Sequence, residues 1–344
     1  MIRCLLVGYG SQGTRIAEAV SAQPDLQLSG IALKVPDISA RMASSRGLLI
    51  YAMCPEDFDQ FKRAAIDVEG SILEALAQTD VVVDATPSGV GKRNKEEFYS
   101  KCGVKSIFQA GEALDVADLP AFMSTINFND AKRASSVRIP SPSTVSLVRA
   151  LKPVDAEFGI TGITYTIAHP GSEPMRARCG PVDTIVPDEP PPGRMAIDEE
   201  MREVFPKDFL CSSLAVPSIL LAVGVATVDL EREASAREVV EILCKTSRII
   251  LVSSRAGLYS TDAIFEYVRR IARQSGDVYE LCVWLEHVEV AHRRLKLVQA
   301  YDPHCVQTPE VIDAIRALAG VGETRESVRR TNKALRILGP GIYP

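Results

Sequence analysis

The sequence predicts two domains of different texture: an N-terminal α/β domain on a doubly wound parallel sheet, then an α+β domain whose sheet is mostly antiparallel. Three observations carry that reading. Apolar strand-like runs alternate strictly with helical patterns from Ile2 to Ala110. A glycine-rich turn, GYGSQG, joins the first run to the first helix. Past the proline-broken stretch Pro140 to Ser143 the texture changes to long alternating runs. Strands and helices in strict alternation build a parallel sheet with right-handed crossovers. Long period-two runs fit antiparallel strands with one face exposed or held in an interface.

In order, IRCLLVG leads into a helix from Ser11 to Ala22, then come LQLSGIAL, a helix near Ser39 to Ser45, LLIYAM and a helix from Ile72 to Gln78. VVVDATP, a helix from Lys92 to Cys102 and SIFQA complete the first sheet. A helix from Thr144 to Leu151 opens the second part, whose strands read GITGITYTIA, FLCSSLAV, VGVATVDLE, RIILVS, VYELCVWLEHVEV and RLKLVQAY. PDEPPPGRM, Pro187 to Met195, is too rich in proline for a helix or sheet interior and reads as an extended loop. Helices from Pro309 to Ala319 and from Glu323 to Leu338 are expected to fold back on the first domain. The expected boundaries are 1–139, 140–303 and 304–344.

The bulk numbers narrow the function. A chain of 344 residues that is 46% hydrophobic can bury the cores of about two domains. Its formal charge of −5 is spread along the sequence, and no segment concentrates Lys and Arg as a reader of phosphate backbone would. No apolar run approaches the roughly 20 residues of a membrane span, so neither nucleic acid nor membrane is expected as a partner and a cytoplasmic location is. The eight cysteines form no Cys-x-x-Cys, which indicates neither a zinc site nor a disulfide frame.

GYGSQG sets Gly8, Gly10 and Gly13, with Tyr9, Ser11 and Gln12 between them, directly after a strand and at a helix start. That placement suits a dinucleotide: one glycine for the tight turn, one for close approach of the pyrophosphate, one for helix–strand packing. At the end of the second strand, where an acid would hold a ribose 2′-OH, the sequence reads IALKVPD. Lys34 there favours a 2′-phosphate, unless it is a solvated surface residue; Asp37 is the nearby acid, in a loop after Pro36.

Val81 to Glu112, VVVDATPSGVGKRNKEEFYSKCGVKSIFQAGE, taken with GYGSQGTRIAEAV, resembles the archaeal-type (class II) glyceraldehyde-3-phosphate dehydrogenases, which carry a near-identical Asp-Ala-Thr-Pro turn and a Phe-Gln-x-Gly-Glu strand end. The likeness continues at matching spacing through GPVDTIVP, RIILVSSRAGLYST, GDVYELCVW and PEVIDAIRAL. It implies a Rossmann domain that binds NAD(P), a second domain on a mixed sheet, and a homotetramer. It sets Ser11 and Gln12 under the pyrophosphate, Thr86 and Pro87 after the fourth strand, and Gly111 near the nicotinamide ribose.

The catalytic half departs from that family. Its Ser-Cys-Asn-Thr loop, whose thiolate would attack an aldehyde, reads Ser141-Pro142-Ser143-Thr144 here. Ala222 and Gly224 stand where it holds histidine, Tyr165 and Thr166 where it holds a phosphate-gripping arginine pair, Met195 and Ala196 where it holds a His-His pair, and Pro303 where it holds a glutamine.

Among what remains, His169, in the AHPGSE turn, is a candidate general acid or else a surface turn residue. Arg176, Arg178 and Arg194 are candidate grips for an anionic substrate, or solvated loop arginines. Ser141, Ser143 and Thr144 are hydroxyl donors near the nicotinamide, and Cys179 is a candidate displaced nucleophile. The expected function is an NAD(P)-dependent oxidoreductase, NADP(H) favoured over NAD(H), that reduces a small anionic carbonyl or imine by direct hydride transfer. Two alternatives stay open: a glyceraldehyde-3-phosphate or sugar-phosphate dehydrogenase with a displaced nucleophile, and a non-catalytic NAD(P)-binding sensor or scaffold. The expected partners are a small-molecule substrate and further copies of the chain, as a tetramer or dimer.

Overall fold

The computed structural model describes residues 1–109, 111–171, 183–188 and 196–343. The chain divides into two compact units, one of Met1–Pro140 with Thr308–Leu335 and one of Ser141–Gln307 with Arg336–Pro344.

The first unit holds a seven-stranded parallel sheet: β1 (Ile2–Val7), β2 (Leu26–Leu33), β3 (Ile50–Ala52), β4 (Gly70–Ser71), β5 (Val81–Asp84), β6 (Lys105–Phe108) and β7 (Ser136–Arg138), in the order β4-β3-β2-β1-β5-β6-β7. Its interior strands are almost wholly apolar because both faces are covered. The helices are α1 (Ser11–Ser21), α2 (Ile38–Ser45), α3 (Phe58–Arg63), α4 (Ile72–Leu76), α5 (Val90–Asn94), which passes through a π turn (Lys95–Tyr99) into α6 (Ser100–Cys102), and α7 (Ser124–Ala131). β1 pairs with β2 on one side and β5 on the other, so the strand order reverses at β1. In doubly wound sheets that reversal opens a crevice at the strand carboxyl ends, where Gly8 and Thr86 lie.

The second unit opens on α8 (Pro142–Phe158) and holds a nine-stranded mixed sheet: β8 (Ile160–Pro170), β9 (Val186–Pro187), β10 (Asp208–Val216), β11 (Ala222–Leu230), β12 (Ile249–Val252), β13 (Leu281–Trp284), β14 (Glu289–Ala291), β15 (Arg294–Tyr301) and β16 (Gly341–Tyr343). The order is β16-β12-β13-β15-β11-β8-β10-β9, with β14 on β15. Five of the eight pairings are antiparallel and three parallel. α9 (Ala196–Val204), α10 (Ala236–Leu243) and α11 (Thr261–Ile271) lie between the strands of this unit, and α12 (Thr308–Leu318) and α13 (Thr324–Ala334) return to the first.

α8 runs seven residues past the expected end at Leu151, through Pro153. Val145, Leu147, Val148, Leu151, Val154 and Phe158 are all buried, and burial of each is worth about 1.5–3 kcal/mol. Together they outweigh the hydrogen bond that Pro153 forfeits. Across the sheet, Ile264 and Val268 of α11 pack on Ile250, Val252, Cys282 and Trp284. The opposite end of that sheet face stays open: Leu210 is 58% and Val225 36% exposed.

Candidate functional site

In the first unit, Gly8 has φ +89, and a Cβ there would stand 3.0 Å from the Ala85 carbonyl oxygen. Gly13 is excluded from bearing a side chain more strictly, since its Cβ would lie 2.4 Å from Gly8 O. Those two contacts close the turn against β5. Gly10 caps α1 without any side-chain hydrogen bond, and a Cβ on it would meet nothing within 4 Å. The uncapped N–H groups of the first turn therefore face open space, the arrangement an anion uses.

Tyr9 turns the other way. It is buried, and its hydroxyl accepts from Arg46 Nη1 at 3.1 Å. Ser11 accepts from Arg15 through both its carbonyl and its hydroxyl oxygen, each at 2.9 Å, and Gln12 is half-buried.

A cleft of about 240 Å³ runs from Val7 and Gly8 past Leu33 and Lys34 to Cys54, Thr86 and Arg93. Lys34 is exposed on its rim. Asp37 caps α2, its Oδ1 accepting from Ser39 N at 2.9 Å and Ala40 N at 3.1 Å, so one oxygen of its carboxylate serves the helix start.

The turn after β5 rests on a residue that the sequence reading passed over. Asp84 is 2% exposed and accepts from Thr86 N (3.0 Å), Thr86 Oγ1, Asn94 Nδ2 (2.9 Å) and Tyr99 OH (2.6 Å). Burial, then the neighbouring Asp84 charge, push the Tyr99 phenol well above its ordinary range. Four donors on one carboxylate fix Thr86 and the exposed Pro87 at the crevice. Gly111 lies beside Ser88, where a Cβ would be 3.8 Å from Ser88 N. These residues fit a nicotinamide dinucleotide: a glycine turn at a helix start, an open cleft beside it, and the exposed Lys34 at its rim.

In the second unit, Pro142 is the first residue of α8, where its missing N–H costs nothing, and Ser141 is the N-cap. The hydroxyls of Ser141 and Thr144 both reach Glu200 of α9: Ser141 Oγ donates at 2.6 Å, Thr144 Oγ1 at 2.5 Å, and Ser141 N to both carboxylate oxygens at 3.0 Å. Glu200 is fully buried. Ser143 points elsewhere, its hydroxyl 2.8 Å from Tyr301 OH. Gln299 Nε2 donates to Tyr165 OH at 2.9 Å.

Tyr165 explains Gly224. A Cβ on Gly224 would stand 2.1 Å from the Tyr165 hydroxyl oxygen and 2.6 Å from two ring carbons. The phenol thus occupies the space that any side chain at 224 would need.

His169, at the end of β8, has Nε2 2.6 Å from Asp188 Oδ2 and Nδ1 3.0 Å from Pro170 O. Ser213 Oγ donates to the same Asp188 oxygen at 2.6 Å. Both ring nitrogens therefore sit on acceptors, and Asp188 and Ser213 tie the ring to the β8–β10 edge. Arg176, Arg178, Arg194, Cys179 and Met195 lie outside the described residues. Burial, reinforced by Asp198, pushes the Cys211 thiol up to about 12. Among the described residues, Asp277, Asp302 and Cys305 bring three potential ligand atoms within 4.8 Å. Their carboxylates already accept from Ser275 Oγ and His304 N.

A glycine-rich turn at the reversal point of a parallel sheet, joined in sequence to a mixed-sheet unit that begins on a helix N-terminus, defines a two-domain dehydrogenase fold. Aspartate semialdehyde dehydrogenase II of Vibrio cholerae shares it, with a TM-score of 0.64 at 13% identity over 97% of this chain and 98% of that one. No family model matches the chain. It is 36% identical over 338 residues to the glyceraldehyde-3-phosphate dehydrogenase of Halobacterium salinarum, covering 98% of this chain and 100% of that one. It is 35% identical over 332 residues to that of Methanobacterium bryantii, covering 96% and 98%. The chain belongs to the glyceraldehyde-3-phosphate dehydrogenase family.

Proposed function

We propose that this member is an NAD(P)-dependent oxidoreductase that reduces a small anionic carbonyl or imine by direct hydride transfer, with NADPH preferred. The observation that carries the reading is the pairing of Tyr165 with Gly224 beside a helix headed by Pro142. The position that resembles the family's nucleophile has no thiol, and the position that resembles its histidine has no room for a side chain while Tyr165 is present. Cys211, with its thiol at about 12, would hold only about one part in 10⁵ as thiolate at neutral pH, too little for a nucleophile. When bound, the nicotinamide supplies the hydride. The chain's own work is then to orient the substrate and to deliver a proton.

Lys34 supports NADPH, because its ammonium stands at the cleft rim while Asp37, the acid that would read a ribose 2′-OH, is engaged as a helix cap. Arg176, Arg178 and Arg194 are the proposed anion grip, and His169, Ser141 and Thr144 the proposed polar surroundings of the reacting group. A cytoplasmic homo-oligomer is part of the same proposal, supported by the open sheet face around Leu210 and Val225.

The test is NADPH oxidation over a panel of small anionic aldehydes, ketones and imines, with and without iodoacetamide. Alkylation-insensitive turnover is expected. A phosphate-dependent, iodoacetamide-sensitive oxidation of glyceraldehyde 3-phosphate would overturn it. That second outcome is the alternative reading, favoured by the names of the relatives; Cys179→Ser and Cys211→Ser variants would then locate the nucleophile.

A further inference from the structure

We propose that the second unit carries a binding site for a small phosphorylated molecule, in a hollow of about 480 Å³ lined by Arg269, Arg270, Arg273 and Arg336 with Ile271 and Gln274 between them. All of these residues belong to that one unit, and the site does not rest on the proposed reaction. Its lining holds four arginines and no acid, in a chain whose formal charge is −5.

Arg273 is the fixed member. Its side chain is 8% exposed, and every donor nitrogen is engaged: Nε with Asp277 O at 2.6 Å, Nη1 with Arg336 O at 2.8 Å, and Nη2 with Glu280. Glu280 is fully buried, neutralises Arg273, and accepts from Leu338 N at 2.6 Å through its other oxygen. The pair therefore pins the backbone on both sides of Ile337 and holds Arg336 at the hollow.

The other three arginines outnumber their partners. Arg269, through Nε and Nη2, and Arg270, through Nε, share the single carboxylate of Glu266 at 2.7–2.8 Å, and their bonds hold that carboxyl down to about 2. Nη1 of Arg269 and both Nη of Arg270 are left without a partner among the described residues. Arg336 is exposed, and its guanidinium has no partner there either. Three guanidinium charges thus meet one carboxylate. The carboxyl end of α11, where Arg269 and Arg270 stand, offsets the excess by only about half a charge.

Arg336 carries the inference furthest. It is the first residue past the C-cap Leu335 of α13 and has φ +50. Glycine is the usual residue at such a helix-ending position, because it alone takes a left-handed backbone without a Cβ penalty. Arginine there strains the backbone and returns no side-chain contact among the described residues, yet its guanidinium lines the hollow.

The lining selects the ligand class. A guanidinium fork matches phosphate oxygens with paired N–H donors, and the cations here are arginines throughout. The volume falls in the range of small-molecule sites, which leaves room for an organic body beside the phosphoryl group. Ile271, 48% exposed, offers that body an apolar contact.

The experiment is calorimetric titration of the full chain with pyrophosphate at low salt, for wild type, Arg336→Gly and Arg270→Ala. The glycine turn after β1 can also take pyrophosphate, but neither variant touches it, so it contributes equally to all three proteins. Each variant is expected to weaken a component of wild-type binding by about 10-fold or more, the effect of losing a hydrogen bond between charged groups. Arg336→Gly should unfold at an equal or higher urea concentration, since glycine relieves the left-handed strain, so its lost binding is not lost folding. Arg270→Ala, at a side chain 73% exposed, reads the site in an undisturbed fold. Wild-type pyrophosphate affinity in either variant, or no pyrophosphate binding at all, would overturn the site. Citrate bound as tightly as pyrophosphate would overturn its assignment to phosphorylated ligands.

Discussion

Replacing Gly224 by alanine tests the central geometric claim, that Tyr165 and Gly224 are one feature. The added Cβ would stand 2.1 Å from the Tyr165 oxygen and 2.6 Å from two ring carbons, and the ring, fully buried, has no solvent side to which it could retreat. Overpacking of this kind costs about 1–3 kcal/mol. Displacing the phenol also strains its bond to Gln299, at about 1 kcal/mol. A loss of about 3 kcal/mol is therefore expected. Tyr165→Ala alone should lose about 3–5 kcal/mol by leaving a cavity. In the double variant the alanine methyl enters vacated space, so its cost should match Tyr165→Ala and the coupling should be about 2–3 kcal/mol. Urea unfolding followed by far-UV circular dichroism measures all three differences. Costs that add to within about 0.5 kcal/mol, or a Gly224→Ala variant as stable as wild type, would refute the reasoning.

Two further outcomes follow from the first unit. Lys34→Asp removes the ammonium at the cleft rim and adds a like charge, so NADPH should bind about 10-fold or more weakly with NADH affinity unchanged or improved; fluorescence titration reads this, and an unchanged NADPH affinity would remove Lys34 from the cofactor reading. Arg316 holds both Asp25 oxygens, through Nε at 2.8 Å and Nη2 at 2.7 Å, and its hydrogen bonds hold the Asp25 carboxyl below the usual range despite partial burial. A depressed carboxyl stabilises fully above its unfolded pKa of about 4 and loses that contribution as pH falls through the folded value. Arg316→Met should accordingly cost about 3–5 kcal/mol at pH 7 and progressively less below about pH 4, because Asp25 can then take a proton; a cost independent of pH would refute the linkage.

Local rules made much of the first unit legible. GYGSQG needs no distant partner to be understood, since Gly8 and Gly13 answer to backbone atoms of one turn and the adjacent strand. The same locality misjudged α8, expected to end at Leu151, although the apolar stripe from Val145 to Phe158 carries it through Pro153. It also missed β16, whose three residues pair with β12 about ninety positions earlier in the chain. The polar groups of the second unit were least visible: Ser141 meets Glu200 at a separation of 59 residues, Tyr165 meets Gln299 at 134, and Ser143 meets Tyr301 at 158. No periodicity marks such partners, and each of these residues by itself reads as ordinary strand or helix.

Those long-range partners change what the α8 N-terminus can do. A free helix N-terminus attracts an anion, and the family resemblance alone would invite a substrate carboxylate or phosphate to that spot. Here Glu200 already supplies the carboxylate, taking Ser141 N and the hydroxyls of Ser141 and Thr144. A second anion would have to displace it from a fully buried position. Under the proposed function, the group that approaches this turn is an uncharged carbonyl or imine, with any anionic part of the substrate held at a distance from it. Ser143, whose hydroxyl is turned from Glu200 toward Tyr301, does not share in holding that carboxylate.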